Sequence, residues 1–417
     1  MTIRYVCVGI LALALAACSE PGSNPAGPEG LNFASTQTQP GGTIGINVLL
    51  RGPVTAEQLA ELNTIGVVRD QIPELNALTM QIKSGNLPAV QALSYVAAAG
   101  PDAERNAKPV DAVAATDFAN GLSTWDQDAI NATVQPFSGA RGVGYDGSGV
   151  YVAILDTGLL PTWQQYFPQE RIATQFARSF GGGGGDNGTV SSQPNKWESD
   201  VNAHGTHVTS TIIGYQFGVN RINGTAPKAT IIPVKVLNQN GSGWSSVVAR
   251  GITYIADLKA GPLSGSPVVI NMSLGGPSLD PLEQAAIDYA VGQGVIIVAS
   301  AGNSGANGMG FPGAYAPVIS VAASGWVGEW RLCPTSTVNP GSFWIRCDVA
   351  EPTSAGDFYI TDFSSRERAG QDLDVAAPGS WVVGPFQTNQ GKINYFFLGG
   401  TSMASPHVAG IVALMAQ

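Results

Sequence analysis

Imidazole is what this chain has least of. Its only three histidines, in 417 residues, fall in two short motifs, His204-Gly-Thr-His207-Val and Gly400-Thr-Ser402-Met-Ala-Ser-Pro-His407-Val-Ala-Gly. Charge is scarce too, at 12% of residues, and the net charge of −10 comes without any basic run. A nucleic-acid partner would need a basic face, so none is expected. Cysteine is limited to four residues, at 7, 18, 333 and 347. Beyond the first residues no apolar run approaches the roughly 20 needed to cross a bilayer as a helix. What is abundant is apolar side chain (44%) and glycine (53 residues). That composition suits a large core inside a loop-rich, exported enzyme, in two or three domains.

The N-terminus reads as a targeting segment. Arg4 opens it, Val6 to Ala17 forms an apolar stretch too short to span a membrane, and Leu15-Ala16-Ala17-Cys18 resembles a bacterial lipobox. Cys18 is thus the expected lipidation site, the alternative being an ordinary signal peptide, and a lipid there is the only membrane attachment expected. Cys7 leaves with the signal, which leaves Cys333 and Cys347, fourteen residues apart. In an exported chain they are expected to pair as a disulfide rather than stay as free thiols.

Residues 19–42 lack periodicity and read as a flexible tether. From 43 to 102 a β-α-β-β-α pattern predicts a small ferredoxin-like unit, with strands over 43–50, 65–72 and 77–82 and helices after Thr55 and over 87–95. Residues 103–124 read as a linker. Beyond 125, strand-like runs at 150–155, 229–236, 268–272, 295–300 and 318–322 alternate with helical stretches at 205–214, 245–258 and 281–292. The fold class expected is α/β, a doubly wound and mostly parallel sheet with flanking helices. The glycine run 181–185 reads as a mobile loop, and 325–357 as an inserted lobe carrying both remaining cysteines.

The run Val150-Tyr-Val-Ala-Ile-Leu-Asp156-Thr-Gly delivers Asp156 to the carboxyl edge of a sheet. Asp156, His204 and Ser402 follow in one of the chain orders known for a nucleophilic triad. A serine hydroxyl is a weak nucleophile unless an imidazole takes its proton, and that imidazole needs a carboxylate to fix its tautomer. These motifs, with Ser273-Leu-Gly-Gly276, Ala299-Ser-Ala-Gly-Asn303 and Leu373-Asp-Val-Ala-Ala-Pro-Gly379, resemble the subtilisin-like serine proteases, or subtilases, over residues 125–417.

That resemblance implies a serine endopeptidase with Ser402 as nucleophile, His204 as base and Asp156 as its partner. Asn303 and the helix beginning at Ser402 would make the oxyanion hole. Gly241, Ser242 and Gly243 on one side, and Ser273, Leu274 and Gly275 on the other, would hold an extended protein or peptide substrate. Gly310 would floor the pocket for the side chain before the scissile bond, leaving room for a large apolar or aromatic group. No acidic cluster marks these segments, which disfavours a dibasic processing protease. The 43–102 unit is similar to an inhibitory propeptide, the chain's own partner before maturation, and a monomer is expected. No cofactor is required for the chemistry; structural calcium occurs in the family, but no ligand set is evident here and its metal site is unknown. His207 and His407 read as structural. The chain stops within the helix that starts near Ser402, which is expected to be a truncation.

Two rivals carry less of the sequence. A catalytically silent surface-binding protein would show an altered triad or oxyanion residue, and none is altered. An esterase of α/β-hydrolase type would need Gly-x-Ser-x-Gly and a different chain order.

Overall fold

A strand buried on both faces must be apolar at successive positions, and the central strands are. In Tyr151–Asp156, Val152 and Ile154 enter one core while Ala153 and Leu155 enter the other. The register keeps this sorting across neighbours, with Val152 opposite Val269 and Ala153 opposite Ile270. Each fully buried Val, Leu or Ile contributes about 1.5–3 kcal/mol relative to exposure. These stacked rows therefore fix the sheet.

The computed structural model describes residues 41–114, 124–133, 141–185, 188–218, 220–329, 355–387 and 393–417. Its main sheet has eight strands, in the order Phe358–Ile360, Ile319–Trp326, Ile296–Ser300, Val268–Met272, Tyr151–Asp156, Thr230–Lys235 and Arg178–Ser179, with Val375–Pro378 also paired to Ile319–Trp326. All these pairings are parallel except that of Phe358–Ile360. Helices His204–Ile213 and Thr401–Ala416 bury side chains in one core, and Ser245–Ala260 and Pro281–Gly292 in the other. This is the doubly wound α/β sheet expected from the alternating runs.

The N-terminal unit is an antiparallel sheet in the order Gly66–Ile72, Ala77–Lys83, Thr43–Leu50 and Val96–Pro101. Its first helix, Ala56–Ile65, opens on a capping box: Gln58 N–H donates to Thr55 Oγ1 and Thr55 N–H to Gln58 Oε1. The second helix is shorter than expected, Leu87–Gln91, because the chain turns into the strand Val96–Pro101. That alanine-rich segment has helical propensity, but pairing with Thr43–Leu50 gives its backbone a ladder and its side chains a core.

Two further readings are corrected. Residues 103–114 are not a free linker: Glu104–Asn106 pairs with Ser242–Trp244, and Asp111–Ala114 with Ile393–Gly399. The glycine run is not a mobile loop. Gly182–Gly183 pairs with Thr189–Val190, and Gly185 N–H donates to Asp102 Oδ2 at 2.8 Å. A Cβ on Gly184 would stand 2.4 Å from the Trp244 side chain, so the run allows close approach rather than motion. Cys18, Cys333 and Cys347 lie outside the described residues.

Candidate active site

Asp156 ends its strand at the carboxyl edge of the sheet and is fully buried. His204 opens the helix His204–Ile213 after a turn at Ala203, whose φ is +71°. Asp200 holds that turn by accepting from the N–H groups of Asn202 and Ala203 at 2.9 and 2.8 Å. His204 Nδ1 then lies 2.9 Å from both oxygens of Asp156. The carboxylate selects the tautomer with hydrogen on Nδ1, which leaves Nε2 basic, and Nε2 has no partner. Only glycine fits at 205: a Cβ there would meet Gly158 O at 2.4 Å.

Ser402 is the second residue of the helix Thr401–Ala416. Pro406, within the same helix, has no N–H to offer the Ser402 carbonyl one turn back. Ser273 Oγ donates to that carbonyl instead, at 2.8 Å. In return Ser402 Oγ donates to Ser273 O at 3.0 Å. The hydrogen bond from Ser402 to His204 is therefore not formed, because the single hydroxyl proton goes to the Ser273 carbonyl. Asn303 is oriented by its amide oxygen, which accepts from Thr401 N–H and Oγ1, each at 2.9 Å. Its NH₂ group is left for another acceptor. Asn303, Thr401, Ser402, Leu274 and Gly310 line one cleft of about 450 Å³.

Along this cleft the chain carries its own extended segment. Asn106 exchanges two backbone bonds with Gly275, N–H to O and O to N–H, each at 2.9 Å. On the opposite rim Ala107 N–H donates to Gly241 O at 2.7 Å, and Ser242 and Gly243 face Asn106 and Arg105. Lys108 lines the same cleft as Ser402. The expected substrate-binding residues are thus brought together around one strand. Sequence reasoning missed an acidic contributor: Glu283, on the helix Pro281–Gly292, pairs with Arg105 at 2.5 Å, both side chains fully buried. Its helix pattern marked it only as a polar position; contact with residue 105 is not a local signal.

The other two histidines have different surroundings. His207 Nε2 lies 3.1 Å from Val382 O, and burial, reinforced by His204, lowers its pKa to about 3. It stays neutral. His407 contacts two acceptors, Met403 O through Nδ1 and Asp126 Oδ2 through Nε2, both at 2.9 Å. Asp126 was another residue the sequence did not single out. Among the described residues no group of three His, Cys, Asp or Glu side chains could hold a metal ion.

The chain matches the subtilase family over residues 147–417. It is similar to thermitase from Thermoactinomyces vulgaris, at 35% identity over 65% of this chain and 76% of the relative. Subtilisin Savinase from Lederbergia lenta is 33% identical over 67% of this chain and 80% of its own. Among solved structures it is similar to the S41 psychrophilic protease, with TM-score 0.52 and 27% identity over 71% of this chain and 84% of the other. With the sheet, the helix pair on each face and the buried aspartate–histidine contact, these likenesses make the chain a member of the subtilase family of subtilisin-like serine endopeptidases.

Proposed function

We propose that the chain is an exported, self-processing zymogen that hydrolyses peptide bonds through Asp156, His204 and Ser402. The observation that carries this reading is the buried Asp156–His204 contact, together with a cleft lined by Ser402 and Asn303 along which a peptide strand, residues 104–108, already lies. Turning Ser402 Oγ from Ser273 O toward His204 Nε2 arms the nucleophile. The hydroxyl oxygen attacks the scissile carbonyl as His204 takes its proton, and Asp156 stabilises the imidazolium. The resulting oxyanion is met by the Asn303 amide and by the amino end of the nucleophile helix. His204 returns the proton to the leaving amine, and water repeats the sequence to free the acyl group.

Recognition is mainly through the backbone ladder with Gly241–Gly243 and Ser273–Gly275, so specificity is broad. Gly310, without a side chain, leaves the first pocket open to large apolar or aromatic groups. The 43–102 unit acts as the inhibitory propeptide, and the cut falls between Asp102 and Trp125. Lipid on Cys18 would hold the precursor at the membrane, and the cut would release the catalytic part; Cys333 and Cys347 form a disulfide. The deciding experiment is labelling with a fluorophosphonate probe, followed by peptide mapping. Label on Ser402 is expected, and an active protein labelled elsewhere would defeat the assignment.

A further inference from the structure

The strand at 104–108 binds mainly through its backbone, with two side-chain exceptions: Asn106 Oδ1 accepts from Ser242 Oγ at 2.6 Å, and Arg105 makes an ion pair. Arg105 is fully buried, and its Nε lies 3.0 and 3.1 Å from the two oxygens of Glu283 while Nη2 lies 2.5 Å from Oε2. Nη2 also donates to Ser278 O at 3.1 Å, and Nη1 to Glu104 O at 3.0 Å. Among the described residues Arg105 supplies all the hydrogen bonds to the Glu283 carboxylate. That carboxylate sits in the first turn of the helix Pro281–Gly292, where the helix dipole favours negative charge.

The register gives the position a meaning. Lys108 lines the same cleft as Ser402, Ala107 bonds to Gly241 and Asn106 to Gly275, so, counting Lys108 as the first, Arg105 is the fourth residue back. When this segment leaves, a carboxylate without a cation remains at the place where a substrate puts its own fourth side chain. An apolar group there would bury the charge unpaired, whereas a guanidinium restores the fork of bonds. We infer that Glu283 is a specificity-determining residue that selects arginine at the fourth position before the scissile bond. The inference rests on the protease reading above and adds a charged subsite to a groove that reads mainly backbone. Lysine fits less well, because an ammonium cannot make the planar two-point contact.

The test uses mature enzyme from the full chain and two capped chromogenic peptides, Arg-Asn-Ala-Phe and Ala-Asn-Ala-Phe p-nitroanilides. Hydrogen bonds to a charged partner predict kcat/KM about 10- to 100-fold higher for the arginine peptide. In Glu283→Gln or Glu283→Leu that ratio falls toward one. Equal rates for the two peptides on the wild-type enzyme would overturn the inference and reduce the ion pair to a propeptide latch, as would a ratio unchanged in the variants. Should a variant fail to mature, the wild-type peptide pair still decides. Binding of fluorescent versions of both peptides, read by anisotropy, gives the same ratio without turnover. Absence of cleavage would then count against the protease reading, while equal binding would count against the subsite.

Discussion

Ser402 shares its single hydroxyl proton with one acceptor at a time, and here the acceptor is Ser273 O. Replacing Ser402 by alanine removes the proposed nucleophile while leaving the Ser273–Ser402 carbonyl contact in place. The expected result is loss of casein hydrolysis by about 10⁶-fold in kcat, the scale found for subtilisin itself, and a precursor that stays uncut. A variant that still clears casein and still matures would remove Ser402 from the role. In the proposed mechanism Asn303 has two duties, one at each end of its amide. Asn303→Ala removes both and is expected to lower kcat by about 10²–10³-fold, again the subtilisin figure. Asn303→Asp keeps an acceptor for Thr401 but replaces the donor with a negative charge. An equal or larger kcat loss in the aspartate variant, with KM little changed, marks the amide hydrogens as the active part.

At the scale of elements, the turn that launches the His204 helix depends on Asp200. Burial is the main cause that raises its pKa from 3.8 to about 6, opposed by Lys235 and the Ala203 N–H. An acid with a raised folded pKa ionises first in the unfolded chain. Its contribution to stability is therefore full below pH 3.8 and is lost as pH rises to about 6, by up to about 3 kcal/mol. Asp200→Asn keeps an oxygen for the Asn202 and Ala203 N–H groups and does not titrate. Thermal unfolding from pH 4 to pH 7 is expected to show a flatter decline in Tm for the variant. Identical slopes would show that Asp200 is not the titrating group.

At the scale of the whole chain, the N-terminal unit and the catalytic sheet are joined through few but deeply buried polar contacts. Asn47 donates to Asp102 Oδ1 and to Asp280 Oδ2, and Ser245 Oγ lies within hydrogen-bond distance of both aspartates, at 2.8 and 2.6 Å. Among the described residues two ion pairs also join these parts, the fully buried Arg105–Glu283 and the partly exposed Arg250–Asp70. Removing one partner of a buried pair leaves an uncompensated charge and costs about 3–5 kcal/mol. Arg105→Ala, made in the Ser402→Ala background so that no cut intervenes, is expected to lower precursor stability by roughly that amount in urea titration. A loss under about 0.5 kcal/mol would mean that the pair is solvated, as surface pairs are. Fractionation with antibodies to each part checks the release step: catalytic domain permanently in the membrane pellet of a cleaved, active protein would defeat it.

Local pattern was enough for the catalytic half of the fold. The apolar runs ending at Asp156, Met272 and Ser300 wrote out buried strands, the intervening helices kept their boundaries within a few residues, and the three motifs supplied the residues of the proposed triad. Each of these is a short-range signal, readable because strand and helix periods act within one segment. Tertiary structure alone decided where segments without such a period would go. Residues 104–106, polar and turn-like in isolation, became a strand because the rims at 242–244 and 275 offered unpaired backbone groups. The glycine run was pinned because Asp102 and Trp244 came to it from elsewhere in the chain. Glu283 met Arg105 across 178 residues of sequence. Pairings of that kind depend on which surfaces the folded core brings within hydrogen-bond reach, and no window of local sequence contains both partners.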